Sequence, residues 1–269
     1  MDRLHATELG VPGLGRIAPL LIGLHRRYAF RFDLFAVQKP DHAIICFFDQ
    51  VFDSGVNPAV AWHHYWTPLR FVLLLKVASL FDESLARAVW EVRINLDGAA
   101  ANRSMIHCCE ALLSRVSSLP DQRSREVVTQ GLQWAARHPT EILYNTPTSA
   151  DAKSVMPNVV GFQSVLTRIA ARRRALGVRR VSVVIDRQSQ FNSAQKSLAA
   201  GYSRASGLHV PMGPGMPIVD LRGMANLDVK IRSSEQSVGL ELTDSFLWLY
   251  RRILLKQILP DELDRCSSA

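Results

Sequence analysis

The chain has 269 residues, enough for a substantial core in one large domain or two small ones. Apolar residues make up 48% and charged residues 21%, a balance that excludes a chain disordered along its length. Lys and Arg number 32 against 24 acids, a formal net charge of +8. That excess favours anionic partners, nucleic acid first, beside the plainer reading of a basic surface that only maintains solubility.

Four cysteines, Cys46, Cys108, Cys109 and Cys266, contain no CxxC pair. The spacing argues against a disulfide framework or a zinc site and suits a reducing compartment. The richest apolar stretch, "FVLLLKVASL", is interrupted by Lys76 and falls short of the ~18 residues that span a membrane. "PLLIGL" near the start lacks a basic lead-in and a cleavage site. The expectation is a cytoplasmic protein with no membrane contact.

In chain order, Leu14, Ile17, Leu20, Leu21 and Leu24 recur at helical spacing across Gly13–Tyr28. Phe30–Gln38, "FRFDLFAVQ", alternates apolar and polar residues and reads as a strand with one buried face, stopped by Pro40. A mostly helical middle follows, broken at Pro68 and again at Pro120-Asp121. In it, "FDES" reads as a helix start capped by Asp82 or Ser84. Asp49 and Asp53 are four apart, and a structural role suits them better than a catalytic one. Residues 146–158 read as a surface loop. "VVGFQSVLTRIAARRRALG" reads as an amphipathic helix ended by Gly177, with Arg172–Arg174 as its solvated end. The strand "VRRVSVVID" comes next, then a short helix over Ser193–Arg204. "HVPMGPGMPIVD" reads as a loop without regular structure, and its "GPG" lacks the spacing of a phosphate-binding loop. "NLDVKIRSS" reads as a strand, and a long helix carrying Val238, Leu242, Phe246, Leu249, Ile253 and Leu254 closes the chain. Strands and helices alternate at both ends around an α-rich middle, so the pattern predicts an α/β fold: one domain over 1–269, with 55–145 as a helical insertion.

Three places present chemistry. Asp186 ends the run Val181, Val183, Val184, Ile185, whose composition is that of a strand buried on both faces. In open α/β sheets, ligands bind beyond the carboxyl ends of such strands, so Asp186 is either placed for metal or acid–base chemistry or is a turn residue. Asp244 and Glu241 are three apart, on one side of the last helix and near its apolar stripe. Two acids there need a cation or a hydrogen-bond network unless that face is solvated. His5 and Glu8 are three apart near the first helix start, where capping contacts around Thr7 are the default.

"VVIDRQSQF", "LDVKIRSSEQSVGLELTDSFLW", "LHATEL" and "FFDQVFDSGVNPAVAWHHYW" together resemble the bacterial family called domain of unknown function 3800. The resemblance implies a ribonuclease H-like mixed sheet with flanking helices, and divalent-metal-dependent phosphodiester hydrolysis with Mg²⁺ or Mn²⁺. It implies Asp186 and Asp244 as metal ligands, with Glu241, His5 and Glu8 assisting, and nucleic acid as partner. Two departures stand. Glu241 occupies the family's Gln position, and the family's strand ending Asp-Glu-Ser is absent. Residues 82–84 spell that tripeptide in another context. The expected place of the strand is upstream of Met1, so the start is misassigned or the chain is a degenerate, inactive member. The competing expectations are a non-catalytic nucleic-acid- or protein-binding member of the same fold, and a hydrolase of small phosphoesters.

Overall fold

A computed structural model describes residues 6–258 except 179, 223, 225 and 226. Helices run over Ala6–Tyr28 (α1), Lys39–Val51 (α2), Trp62–Tyr65 (α3), Leu69–Ala78 (α4), Glu83–Arg93 (α5) and Gly98–Leu113 (α6). Gln122–Arg137 (α7), Pro139–Ile142 (α8), Ser149–Ser154 (α9) and Pro157–Ala175 (α10) follow. The remainder is Val181–Asp186 (β1), Asn192–Arg204 (α11), His209–Pro211 (β2), Ile218–Asp220 (β3), Leu227–Arg232 (β4) and Val238–Leu254 (α12). The protein is mixed α/β and mostly helical, with small sheets of few strands.

The chain forms two compact units. One comprises 36–177 and 193–225, and the other 1–35, 178–192 and 226–269. The helical unit is thus wider than the expected 55–145 insertion.

The helical unit is built on amphipathic stripes. α2 buries Ala43, Ile44, Phe47, Phe48 and Val51; α5 buries Leu85, Ala86, Val89 and Val92. α7 buries Val127, Val128, Leu132 and Ala135 at the same helical period. All of these but Ile44 and Ala86 meet Met105, Cys109 and Leu112 of α6 and Tyr144 in one continuous core. Gly131 lets α7 approach closely, since a Cβ there would lie 2.8 Å from Phe52 Cε1. Short acids start the helices. Asp82 accepts the Leu85 N–H, Asp97 those of Ala99 and Ala100, and Asp121 that of Ser124. Gly177, at φ 65°, follows the last turn of α10 in the left-handed conformation expected of it.

Two expected loops contain regular structure. Residues 149–154 form α9, because Thr148 accepts the Asp151 N–H and caps it. Thr148→Ala is expected to lower stability by about 1 kcal/mol, read as a shift in the urea midpoint. Within "HVPMGPGMPIVD", β2 and β3 pair antiparallel, with Val210 opposite Val219. Gly213, Pro214, Gly215 and Pro217 fall in the connection, while Pro211 ends β2 opposite Ile218.

The smaller unit holds β1 and β4 in parallel register, Val181 opposite Leu227 through Asp186 opposite Arg232. α12 packs on β1 and on α1, the latter through Leu14 and Leu249. Two expectations are corrected here. Phe30–Gln38 forms no strand. Phe30 and Phe32 instead pack their rings on Phe246 of α12, at 6.2 and 3.9 Å between centroids. Nor is β1 buried on both faces. Val183 is buried, but Ser182, Val184 and Asp186 are exposed, because a two-stranded sheet leaves part of its surface open.

Candidate functional site

The parallel pairing brings the carboxyl ends of β1 and β4 together, so Asp186 and Arg232 stand side by side. Both are exposed, as is Arg187. Asp186 Oδ1 accepts two backbone bonds, from Arg187 N–H at 2.9 Å and Ser234 N–H at 3.1 Å. The second links the end of β1 to the turn Ser234–Gln236 that leads into α12. Asp186 therefore performs the local turn-closing task that its position suggests. Its Oδ2 accepts no bond among the described residues.

α12 carries the other two acids. Glu241 is in its first turn and Asp244 lies three residues on, so both share one side of the helix. Both are half-buried, and Ser245 between them and the core is fully buried, its hydroxyl donating to Glu241 O at 3.0 Å. That placement matches the expected core boundary. Asp186, Glu241 and Asp244 thus belong to one unit, on elements that touch. Glu8 lies exposed in the first turn of α1, while its neighbour Leu9 packs on the Leu14–Leu249 cluster. His5 lies outside the described residues.

The fit to a metal is limited. Among the described residues no three His, Cys, Asp or Glu side chains gather as a metal site. A closed cage of protein ligands does not fit these residues. A water-rich Mg²⁺ or Mn²⁺ held by one or two carboxylates, with substrate phosphate completing the shell, is compatible with them.

The remaining acids singled out in the sequence have structural partners. Asp49 pairs with Arg70, whose guanidinium also lies 4.2 Å from the Tyr65 ring centre. Burial raises the Asp49 pKa, and Arg70 offsets part of that. Asp53 accepts the Gly55 N–H at 2.8 Å. Asp82 is held below the usual carboxylate range by the Ser84 hydroxyl first, then by Leu85 N–H and Arg115. Asp121 is held low by the Lys76 ammonium first, then by Ser124. Asp220 is held low chiefly by Arg222, with Arg174 at 2.9 Å. The RRR end of α10 is thus partly a structural anchor and not wholly solvated.

The sign of the pH dependence follows. A depressed carboxylate contributes stability above its unfolded pKa, and that contribution is lost as pH falls through the folded value. Asp82, Asp121 and Asp220 act in this sense; Asp49, raised by burial, acts oppositely. The urea midpoint is expected to be flat from neutral pH to about pH 5 and to fall below about pH 4. High salt should shrink the fall, because Asp82 and Asp121 are exposed and Asp220 is only half-buried, so all three are screened. A midpoint that rises on acidification would contradict this assignment.

Sequence reasoning missed Arg232 as the neighbour of Asp186. Its signal was the parallel register, which no local pattern encodes. It also missed the cleft between α2 and α5, whose walls lie more than 40 residues apart along the chain. Compared with models of protein families, with curated proteins and with solved structures, the chain matches none of them.

Proposed function

We propose that this chain is a divalent-metal-dependent nuclease of the ribonuclease H-like class, related to the family called domain of unknown function 3800. The observation that carries the reading is the shared end of β1 and β4. There an exposed aspartate with an unengaged Oδ2 stands beside Arg232 and is tied through Ser234 to the helix bearing Glu241 and Asp244. Asp186 and Asp244 would hold Mg²⁺ or Mn²⁺, and Glu241 would assist. When bound, such an ion activates water and stabilises the leaving oxygen of a phosphodiester. Arg187 and Arg232 would bind phosphate by charge, in keeping with the net charge of +8. His5 and Glu8 remain candidates for assistance.

A second reading is nucleic-acid binding without cleavage. It is favoured by the absence of a three-ligand group among the described residues and by the turn-closing bonds of Asp186. One experiment separates the two. The full chain is incubated with single- and double-stranded DNA and RNA in Mn²⁺ and in EDTA, with cleavage read on gels and binding by mobility shift. Cleavage in Mn²⁺ that EDTA abolishes supports the nuclease. Retarded but intact nucleic acid under both conditions supports the binding protein. Neither cleavage nor binding would overturn both readings.

A further inference from the structure

The helical unit contains a cleft of about 330 Å³ between α2 and α5, lined by Lys39, Pro40, Ala43, Ala86, Arg87 and Trp90, with Glu83 at its edge. Its walls are mostly apolar. Ala43 and Ala86 line it, and their short side chains leave space that larger residues would fill. The Trp90 indole is backed by His42, with ring centres 5.3 Å apart. His42 is in turn fixed by a 2.8 Å bond from Nε2 to Val155 O. The aromatic wall is therefore held in place before any ligand arrives, which lowers the ordering cost of binding.

The rim decides the ligand's charge. Lys39 is exposed and has no ion pair among the described residues. Arg87 contacts Glu83 at 3.6 Å, but both side chains are largely exposed, so this pair is weak and exchangeable. Two cations against one acid leave the rim net positive. α2 also begins without a side-chain cap, since Gln38 makes none. A cationic ligand would gain from Trp90 but would meet Lys39 and Arg87. An anion with an apolar or aromatic body is satisfied by both parts of the cleft. The volume is near the lower end for small-molecule sites, about 300–1,000 Å³, which suits one ring system with a head group.

We propose that this cleft is a binding site for a small aromatic anion. The ring lies against Trp90, Pro40, Ala43 and Ala86, and the carboxylate or phosphate meets Lys39 and Arg87. The site is independent of Asp186 and of the nuclease reading.

The test uses the full chain and three probes of one shape: 2-naphthoate, the neutral 2-naphthylmethanol and the cationic 2-naphthylmethylammonium. Binding is followed by the indole N–H resonances of the tryptophans, with Trp90 assigned from Trp90→Phe. Saturable binding of 2-naphthoate that moves the Trp90 resonance is expected, at least about tenfold tighter than the neutral probe. The double variant Lys39→Met, Arg87→Met alters exposed side chains and should leave the fold intact. It is expected to bring 2-naphthoate down to the affinity of the neutral probe. Ala86→Leu, which fills the cleft, should abolish binding of both. Equal binding of neutral and anionic probes, or of wild type and the double variant, would overturn the assignment. So would the absence of any Trp90 shift at millimolar 2-naphthoate.

Discussion

Asp186→Asn is expected to lower Mn²⁺-dependent cleavage at least about 100-fold while leaving the urea midpoint unchanged. The choice of Asn rests on the two roles of this side chain. Oδ1 accepts the Arg187 and Ser234 N–H groups, and an amide oxygen accepts them equally well. Oδ2 is the oxygen available to a cation, and there Asn substitutes a neutral donor for an anionic ligand. The variant therefore keeps the turn and removes the chemistry. Asp186→Ala removes both and would not distinguish them, because the buried Ser234 backbone would lose its partner as well. Asp244→Asn is expected to act in the same direction. Equal cleavage by wild type and Asp186→Asn would remove Asp186 from the site, and with it the proposed geometry.

Asn57→Ala is expected to destabilise the protein by about 3–5 kcal/mol. Asn57 is fully buried. Its Nδ2 donates to Val51 O at 2.8 Å and to Gly131 O at 3.0 Å, and its Oδ1 accepts the Ala59 N–H at 3.0 Å. One side chain thus satisfies the end of α2, the following turn and the middle of α7. Alanine leaves two carbonyls and one N–H without it, each costing about 1–3 kcal/mol, less whatever an entering water recovers. Asn57→Asp gives a sharper signature. Its carboxylate would face two carbonyl oxygens in the core, so the folded state favours the protonated acid and raises its pKa. The sign is then fixed. Relative to wild type, the stability of this variant should be highest below the ordinary carboxylate pKa of about 4 and fall as pH rises towards neutrality. Asn57→Ala should not show that extra dependence. Urea titrations of the three proteins at several pH values give the answer. A loss below about 1 kcal/mol for Asn57→Ala would mean that the neighbouring groups find other partners.

These two residues show where sequence and structure divide. In the sequence Asp186 had two readings, a turn residue or a presented carboxylate, and the side chain combines elements of both. One oxygen closes the turn, and the other is left open beside Arg232. Asn57 lies in the same segment as Asp49 and Asp53 without any local signal, because its importance comes from Gly131, 74 residues away. Long-range partners of this kind leave no local periodicity.

The amino-acid sequence by itself determined the longer helices, several of their capping acids and the two longer strands. Helical spacing of apolar residues, Asp82 and Asp121 at helix starts, Gly177 after α10 and the β-branched run before Asp186 each act within a few residues of themselves. Tertiary structure alone decided the rest. Phe30 and Phe32 have strand-like alternation, but among the described residues no strand pairs with their backbone, and their rings pack on Phe246 instead. The exposure of β1, the pairing of Asp186 with Arg232 and the cleft beside Trp90 all depend on which elements meet. Local propensity biases which element forms. Burial, register and the partners of each polar group depend on side chains distant in sequence, so they are settled only when the chain packs.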